Sequence, residues 1–312
     1  RTSPTNIGLG LMAAVSACDL GYIPVTEMAS LLDKTLDSIE ALEKWNGHLY
    51  NWYDTLTMKV LPPGYVSSVD SGNLAGYLIT VSAAMKEYLN QPLADMRCFK
   101  GLEDTLNCAG SEAASFLSNF DIGPAASAGT EMDLVERNRI LYAIETGPVS
   151  TVATEAVWQN KIIRMLKLFK TEAEECLPWT ALVESMPACL TPEGPDADIS
   201  GAAGALLSSL KAAIKLKDMP AAYRKGIRDI DGLKSKTDKD PVQYGEAAAW
   251  FDLMKNKLEQ AAANTAALAE TIEALARRAA AIADAMNFTL LYDEKRQLFS
   301  TGFSLEDSKL SI

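Results

Sequence analysis

Apolar side chains recur along this chain at steps of three and four residues. Its prolines leave long proline-free intervals at 25–61, 64–91, 93–123, 125–147, 149–177 and 242–312. Ala- and Leu-rich intervals of this kind suit helices, because a proline inside a helix costs about 3 kcal/mol. Alternating β-branched runs with Asn-Gly hairpin signals are nearly absent, and the pattern predicts an all-α fold. A first helix is expected from Thr5 or Asn6 to Asp19, with Gly21 near its C-terminal end. A second starts near Thr26, whose side chain can cap it, and Glu27 places negative charge in its first turn. Leu31, Leu32, Leu36, Ile39 and Leu42 keep helical spacing and form its expected buried face. Residues 46–70, with Gly47, Pro62, Pro63 and Gly64, read as a long loop. Asp70 or Ser71 then caps a third helix through Leu74, Leu78, Val81 and Met85.

Residues 90–240 have a different texture. Gly, Ser and Ala collect at 121–130 and Pro at 187–195, between helical segments at 131–145, 149–175 and 200–216. The run from Lys225 to Lys239 is mixed in charge and reads as a solvated turn. Residues 242–288 carry the strongest helical signal. Trp250, Met254, Leu258, Ala261, Thr265, Leu268, Ile272, Leu275, Ala279, Ile282 and Met286 form one stripe, about 54 Å long at about 1.5 Å per residue. Such a stripe serves either as a coiled-coil partner face or as an intramolecular packing face, and packing is the preferred reading. Phe288 to Phe303 alternates polar and aromatic residues and predicts a short hairpin around Asp293-Glu294-Lys295.

Composition narrows the function classes. The chain of 312 residues is 48% hydrophobic and 22% charged, with a net charge of −12. It is long enough for a sizeable core, and no apolar run reaches the roughly 20 residues of a membrane helix. A nucleic-acid partner is not expected, because backbone binding depends on clustered Lys and Arg. The chain opens on Arg1 rather than Met, so a piece of a longer protein is expected. Cys18, Cys98, Cys108, Cys176 and Cys189 form no CxxC pair, which argues against a disulfide framework or a zinc site. His48 is the single histidine, and no GxSxG elbow accompanies it. No metal and no cofactor are expected. Gly8-Leu9-Gly10-Leu11-Met12-Ala13 matches a dinucleotide fingerprint, but no strand precedes it and no βαβ unit follows.

Polar and aromatic residues crowd into three loops, at 1–6, 47–54 and 65–73. Each adjoins a predicted helix end, where binding residues tend to collect. Sugars present apolar C–H faces and a rim of hydroxyls. Rings such as Trp52 and Tyr53 can cover the faces, and Asp54, Asp70 and Asn73 can bind the hydroxyls. A purely structural reading stands beside this one. The aromatics plug the core, Asp70 and Asn73 cap a helix, and Arg1 is a frayed terminus.

At the same loops the sequence resembles the cyclic β-1,2-glucan synthases. The runs that carry the resemblance are Arg-Thr-Ser-Pro-Thr-Asn-Ile-Gly-Leu at 1–9, Gly-His-Leu-Tyr-Asn-Trp-Tyr-Asp-Thr at 47–55 and Tyr-Val-Ser-Ser-Val-Asp-Ser-Gly-Asn-Leu-Ala-Gly at 65–76. A weaker match runs from Phe288 to Phe303. The resemblance covers the first 90 and the last 30 residues, and 90–240 matches nothing quotable.

The resemblance implies the middle, glucoamylase-like region of a multidomain enzyme. Its fold would be part of an (α/α)6 toroid of glycoside-hydrolase type with a helical insertion. On that reading 1–90 supplies the first barrel helices and the substrate-binding loops, and 91–240 is the insertion. Residues 241–312 are the long helix returning to the barrel and a short hairpin. The implied activity is anomer-retaining transglycosylation that closes linear β-1,2-glucan into rings. The implied partners are the glucan chain and the remaining domains of the parent enzyme. The parent would sit in a bacterial inner membrane, with this segment in the cytoplasm and not itself inserted.

Implied sugar-binding residues are Arg1, Asn6, Trp52, Asp54, Asp70 and Asn73, with Tyr53 as a further stacking candidate. Retaining chemistry needs two carboxyl groups about 5 Å apart. Asp54 and Asp70 are the loop candidates in this chain, but the family's catalytic glutamates follow a Phe-Ser-Thr-Gly-Phe-like stretch such as 299–303. No catalytic residue is therefore carried over. Two other readings remain: a non-catalytic helical sugar-binding or interdomain scaffold, and a helical interaction module using the 242–288 stripe.

Overall fold

A computed structural model describes residues 1–110, 133–147, 155–238 and 240–311. The described residues are mostly helical. In chain order the helices are α1 (Pro4–Asp19), α2 (Val25–Ala41), α3 (Ser68–Tyr88), α4 (Arg97–Ala109), α5 (Leu134–Thr146), α6 (Ala156–Cys176), α7 (Ala197–Lys211), α8 (Met219–Thr237) and α9 (Pro241–Asp284). Short strands are β1 (Lys44–Trp45), β2 (His48–Leu49), β3 (Tyr65–Ser67), β4 (Tyr292–Asp293), β5 (Leu298–Phe299), β6 (Gly302–Ser304) and β7 (Lys309–Ser311). Two compact units result. The first comprises Arg1–Cys18, Glu27–Tyr88 and Thr271–Ile312, and the second Asp19–Thr26 and Leu89–Glu270.

In the first unit, helix starts follow from hydroxyl caps. The Ser3 hydroxyl accepts the Asn6 N–H (3.3 Å) and Pro4 occupies the first helical position, so α1 opens just before the expected Thr5. Helix α3 is capped by Ser67, whose hydroxyl accepts the Asp70 N–H (3.1 Å). The expected caps, Asp70 and Ser71, lie inside its first turn, and Ser71 is buried. The core joins Leu11 and Val15 of α1, Leu32, Leu36 and Ile39 of α2, Leu78 and Val81 of α3, and Ile272 and Leu275 of α9. Leu31, expected among them, is 37% exposed. The face runs Met28-Leu32-Leu36-Ile39, and Leu31 sits about 100° away from it around the helix. Helices α1 and α3 approach so closely that a Cβ on Gly8 would lie 2.3 Å from the Tyr77 ring.

The expected long loop at 46–70 contains structure. Strands β1 and β2 form a hairpin with Trp45 opposite His48, turned by Asn46 and Gly47 at φ 48° and 84°. Positive φ at both turn residues is what a two-residue Asn-Gly hairpin demands, so the Asn-Gly signal was present in the sequence after all. A Cβ on Gly47 would also meet the Ala285 carbonyl oxygen at 1.9 Å. Strand β3 pairs with β6 and β6 with β7, placing Val66 opposite Phe303 and Phe303 opposite Leu310. The predicted hairpin near 293–295 forms between β4 and β5. Its turn is closed by the Asp293 carboxylate, which accepts the Lys295 and Arg296 N–H groups (3.0 and 3.1 Å).

The second unit is built on three packed helices. Cys98, Phe99 and Leu102 of α4, Ile140 and Ile144 of α5, and Met165 and Phe169 of α6 form one buried cluster. Helices α5, α6 and α7 take the place of the segments expected at 131–145, 149–175 and 200–216. Residues 131, 132, 149–154 and the Gly/Ser/Ala-rich 121–130 lie outside the described residues. The run read as a solvated turn from Lys225 is helical through Thr237, within α8; Lys239 lies outside the described residues. The turn reading failed because the apolar residues of that run, Ile227, Ile230 and Leu233, are few but helically spaced; Ile227 is half-buried and the other two are buried.

The α9 stripe is an internal face. Trp250, Met254, Leu258, Ala261, Thr265 and Leu268 are buried within the second unit, and Ile272, Leu275 and Ala279 within the first. That agrees with the packing reading over the coiled-coil reading. Near its start α9 is interrupted at Tyr244 (φ −120°, ψ 17°).

One buried acid ties the second unit together. Glu172 of α6 is 2% exposed, and its Oε2 accepts both the backbone N–H and the hydroxyl of Thr26 (3.1 and 3.2 Å). Thr26 therefore does not cap α2 with its own oxygen, as expected. A carboxylate from distant sequence satisfies the free N–H at the helix start, where the dipole also favours negative charge.

Candidate functional site

The three motif loops meet in the first unit. Residue 2 pairs with residue 53 in a two-way backbone bridge (Thr2 N–H to Tyr53 O and Tyr53 N–H to Thr2 O, both 3.0 Å), and the Asn51 N–H donates to the Tyr65 carbonyl (2.8 Å). The amino-terminal segment, the loop after β2 and the entry to α3 thus share one backbone frame. Ser3 and Ser67 start α1 and α3 beside it, so the first turns of both helices project side chains toward the same place.

Those side chains form a connected polar cluster. The Thr5 hydroxyl donates to Asp70 Oδ1 (2.6 Å) and accepts from Asn73 Nδ2 (3.2 Å). With the Asn51 side-chain amide oriented to match its neighbours, its nitrogen donates to the other carboxylate oxygen, Asp70 Oδ2 (3.1 Å), and its oxygen accepts the Trp52 indole N–H (3.0 Å). The Arg1 guanidinium lies 4.3 Å from the centre of the Trp52 ring, a cation–π geometry. Trp52 and Asp70 are half-buried, and Arg1 and Asn73 are exposed.

Of the residues singled out in the sequence, Arg1, Trp52, Asp70 and Asn73 come together. Asn6 stands exposed on the first turn of α1, and among the described residues its side chain makes no hydrogen bond to the cluster. Asp54 is engaged elsewhere. Its Oδ1 accepts the Leu56 and Thr57 N–H groups (both 2.8 Å), closing the turn at 54–58. These backbone donors, Thr57 first and Leu56 next, hold its carboxyl below the usual carboxylate range. Tyr53 points inward and is 1% exposed. Its hydroxyl donates to the Glu43 carbonyl (2.5 Å) and accepts the Tyr50 N–H (2.9 Å). Burial pushes its phenol well above the ordinary value, and no face of the ring is open for stacking.

Two members were not singled out as binding candidates in the sequence, Thr5 and Asn51. Each lies inside a motif run, but nothing in local pattern distinguishes it. Their importance comes from what they bridge. His48, the lone histidine, is fully buried between the rings of Trp45 and Phe288. Burial lowers its pKa, with the Asn287 backbone opposing, so it packs as a neutral ring. The Phe-Ser-Thr-Gly-Phe stretch supports the site from behind. Thr301 accepts the Ser68 N–H at the start of α3 (3.1 Å), and Phe303 stacks on Trp45 with centroids 4.5 Å apart. Gly302 is held by closeness, since a Cβ there would lie 2.3 Å from the Val66 carbonyl.

The cluster therefore offers an acceptor carboxylate, an amide, a guanidinium and a half-exposed indole within one frame. No family model matches the chain. Over 97 residues it is 46% identical to the cyclic beta-(1,2)-glucan synthase NdvB of Rhizobium meliloti (strain 1021), and the match covers 31% of this chain. The chain spans about 3% of that protein's length. A partial relationship to a glucan synthase follows.

Proposed function

We propose that this chain is the carbohydrate-binding part of a glucan-synthase-type protein, in which the Arg1–Trp52–Asp70–Asn73 cluster holds a β-1,2-glucan strand for retaining transglycosylation. The observation that carries the reading is the junction itself. Three loops far apart in sequence converge through Thr5 and Asn51 on one carboxylate and one indole. A carboxylate and an amide recognise vicinal hydroxyls, and an aromatic ring covers the C–H face. The partial identity to a cyclic β-1,2-glucan synthase supports the choice of glucan. On this reading α1–α3 and the end of α9 are part of an (α/α)6 toroid, and the parent enzyme's other domains complete the active site. The parent would be held at a bacterial inner membrane with this region on the cytoplasmic side. Among the described residues no helix is long and apolar enough to cross a membrane. The reading calls for no cofactor.

Binding is assigned here in preference to chemistry. Turn amides hold Asp54 ionised, so it is not set up as a proton donor, and both Asp70 oxygens are engaged as acceptors by Thr5 and Asn51. That same observation favours the second reading, a sugar-binding scaffold with no chemistry of its own. Titration of the chain with linear β-1,2-glucan, followed by tryptophan fluorescence, is expected to give saturable binding that Asp70→Ala and Trp52→Ala each weaken by at least about tenfold. Absence of saturable binding overturns the assignment. A product mass spectrum then separates the two readings. Redistributed or cyclic glucans would return Asp54 and Asp70 to the catalytic role, and unchanged lengths leave them as binding residues.

A further inference from the structure

In the second unit, helices α7 and α8 enclose a surface groove of about 400 Å³ with a positive rim on a strongly acidic protein. Its floor is aliphatic and small, made by Ala202, Ala205 and Leu206 of α7 with Gly232 and Leu233 of α8. Lys225, Arg228 and Lys236 line it. Asp229, the acid among them, is paired with Lys225 (2.7 Å). The other charges of α8 near here are spoken for: Lys234 pairs with Asp252, and Asp231 with Lys255 (2.7 Å). Among the described residues Arg228 and Lys236 have no ion-pair partner.

A second observation comes from two glycines of the same helix. Gly226 is explained by packing, since a Cβ there would press on Leu258, Leu206 and Leu210 at 3.2 to 3.4 Å. Gly232 is not. A Cβ there would meet nothing within 4 Å, as at Gly201 and Gly204 of α7, although glycine inside a helix is less favourable than alanine. The unforced glycine lies at the groove, where any side chain would fill the space between the cations.

We propose that this groove docks an acidic amphipathic helix of another polypeptide, its apolar side chain seated over Gly232 and its carboxylates on Arg228 and Lys236. The spacing selects the shape of the ligand. Arg228 and Lys236 are eight residues apart, about 12 Å along the helix. Two acidic residues eight apart on a docked helix have the same rise, so each cation can meet its own carboxylate. The floor selects the class. It has no aromatic ring on which a base or a sugar would stack, and small aliphatic residues suit an aliphatic anchor in the helix-in-groove manner.

The test uses a fluorescein-labelled peptide of about four helical turns, with Glu at positions i and i+8 and Leu between them, and a twin with Lys in place of Glu. Anisotropy titrations of the whole chain at low salt are expected to show binding of the Glu peptide and at least about tenfold weaker binding of the twin. Arg228→Glu combined with Lys236→Glu, and separately Gly232→Leu, are each expected to weaken the Glu peptide by about tenfold or more. Both should leave far-UV circular dichroism unchanged. Gly232→Leu raises helix propensity, so loss of binding in it reports occlusion of the groove and not unfolding. Three results of the titrations would overturn the proposal. They are equal affinity for the two peptides, insensitivity to all of these substitutions, and full competition by inorganic phosphate at matched charge, which would assign the groove to a small anion. Self-association that is lost in Arg228→Glu with Lys236→Glu, without peptide binding, would assign it to a second copy of this chain and overturn the proposal equally.

Discussion

The hydroxyl of Thr5 and the carboxylate of Asp70, 65 residues apart in sequence, meet at 2.6 Å and tie the first turn of α1 to the first turn of α3. The bond leaves Asp70 Oδ2 for Asn51 and the Thr5 oxygen for Asn73. One threonine thereby sets the orientation of two proposed sugar-binding groups.

Replacing Thr5 by Val removes this bridge with little change of volume. Folding stability is expected to fall by about 1–2 kcal/mol, because the Asp70 oxygen loses a partner in a half-buried place. Urea denaturation measures that loss. Affinity for linear β-1,2-glucan should fall with it, through misorientation of Asp70 and Asn73. A variant of normal stability and normal glucan affinity would remove Thr5 from the site.

Trp52→Ala is expected to weaken glucan binding by at least about tenfold, about 1.4 kcal/mol, with far-UV circular dichroism unchanged. Tyr53→Phe behaves differently. It keeps the buried ring and removes only the bonds to Glu43 and Tyr50, so it should lower the melting temperature while glucan affinity measured below that temperature stays the same.

Glu172 predicts a pH dependence of stability. Burial is the main cause that raises its carboxyl to about 7 from 4.5, against the opposing pull of Arg137 and of the Thr26 hydrogen bonds. The folded state therefore binds this proton more tightly than the unfolded state. The contribution is fully present below about pH 4.5 and is lost as the pH rises to about 7, amounting to roughly 3 kcal/mol. Glu172→Gln keeps an acceptor for Thr26 and carries no charge. Its urea midpoints between pH 5 and 8 should lack this decline, and above pH 7 it should be more stable than the parent chain. Parallel pH curves for the two proteins would refute the assignment.

Arg278 reaches three carboxylates of α2, Asp33 (2.6 Å), Asp37 (2.5 Å) and Glu40 (2.8 Å). Its removal leaves three like charges at helical spacing without the guanidinium that bridges them. Arg278→Ala is expected to cost about 1 kcal/mol at low salt and less at high salt, where screening weakens the repulsion. A loss independent of salt would point to lost packing by the arginine stem instead.

The turn at Asn46-Gly47 predicts the sharpest single-methyl effect in the first unit. Gly47→Ala combines a positive φ with a clash on the Ala285 carbonyl, and should destabilise by more than about 1 kcal/mol. Gly232→Ala, with open space around it, should do the reverse by up to about 1 kcal/mol. Thermal melts of the two variants check both signs.

Helices α1, α2 and α3, the segments that became α5, α6 and α7, and the packing stripe of α9 were legible in the sequence because each depends on residues within a few turns of one another. Hydrophobic periodicity encodes which side of a helix is apolar, and Trp250, Leu258 and Ile272 are buried as that spacing requires. The same local information placed Arg1 and Trp52 in loops beside helix starts, whereas Asp70 and Asn73, read as part of a loop at 65–73, lie inside the first two turns of α3. It missed α4 (Arg97–Ala109) and α8 beyond Lys225, where in α8 the charged residues outnumber the apolar ones that pack.

Tertiary structure alone decided the rest. Neighbours Trp52 and Tyr53 have similar chemistry, yet the pairing of residue 53 with residue 2 turns one ring outward and buries the other. Asp54 and Asp70 are equal as carboxylates in a sequence, but turn amides take the first and Thr5 with Asn51 takes the second. Thr26 looked like a cap for its own helix until Glu172, 146 residues away, supplied the oxygen. Each outcome is a choice among partners brought close by chain closure. Hydrogen-bonding capacity is written in a residue's type, whereas the partner that fills it is set by which backbones the packed core holds side by side.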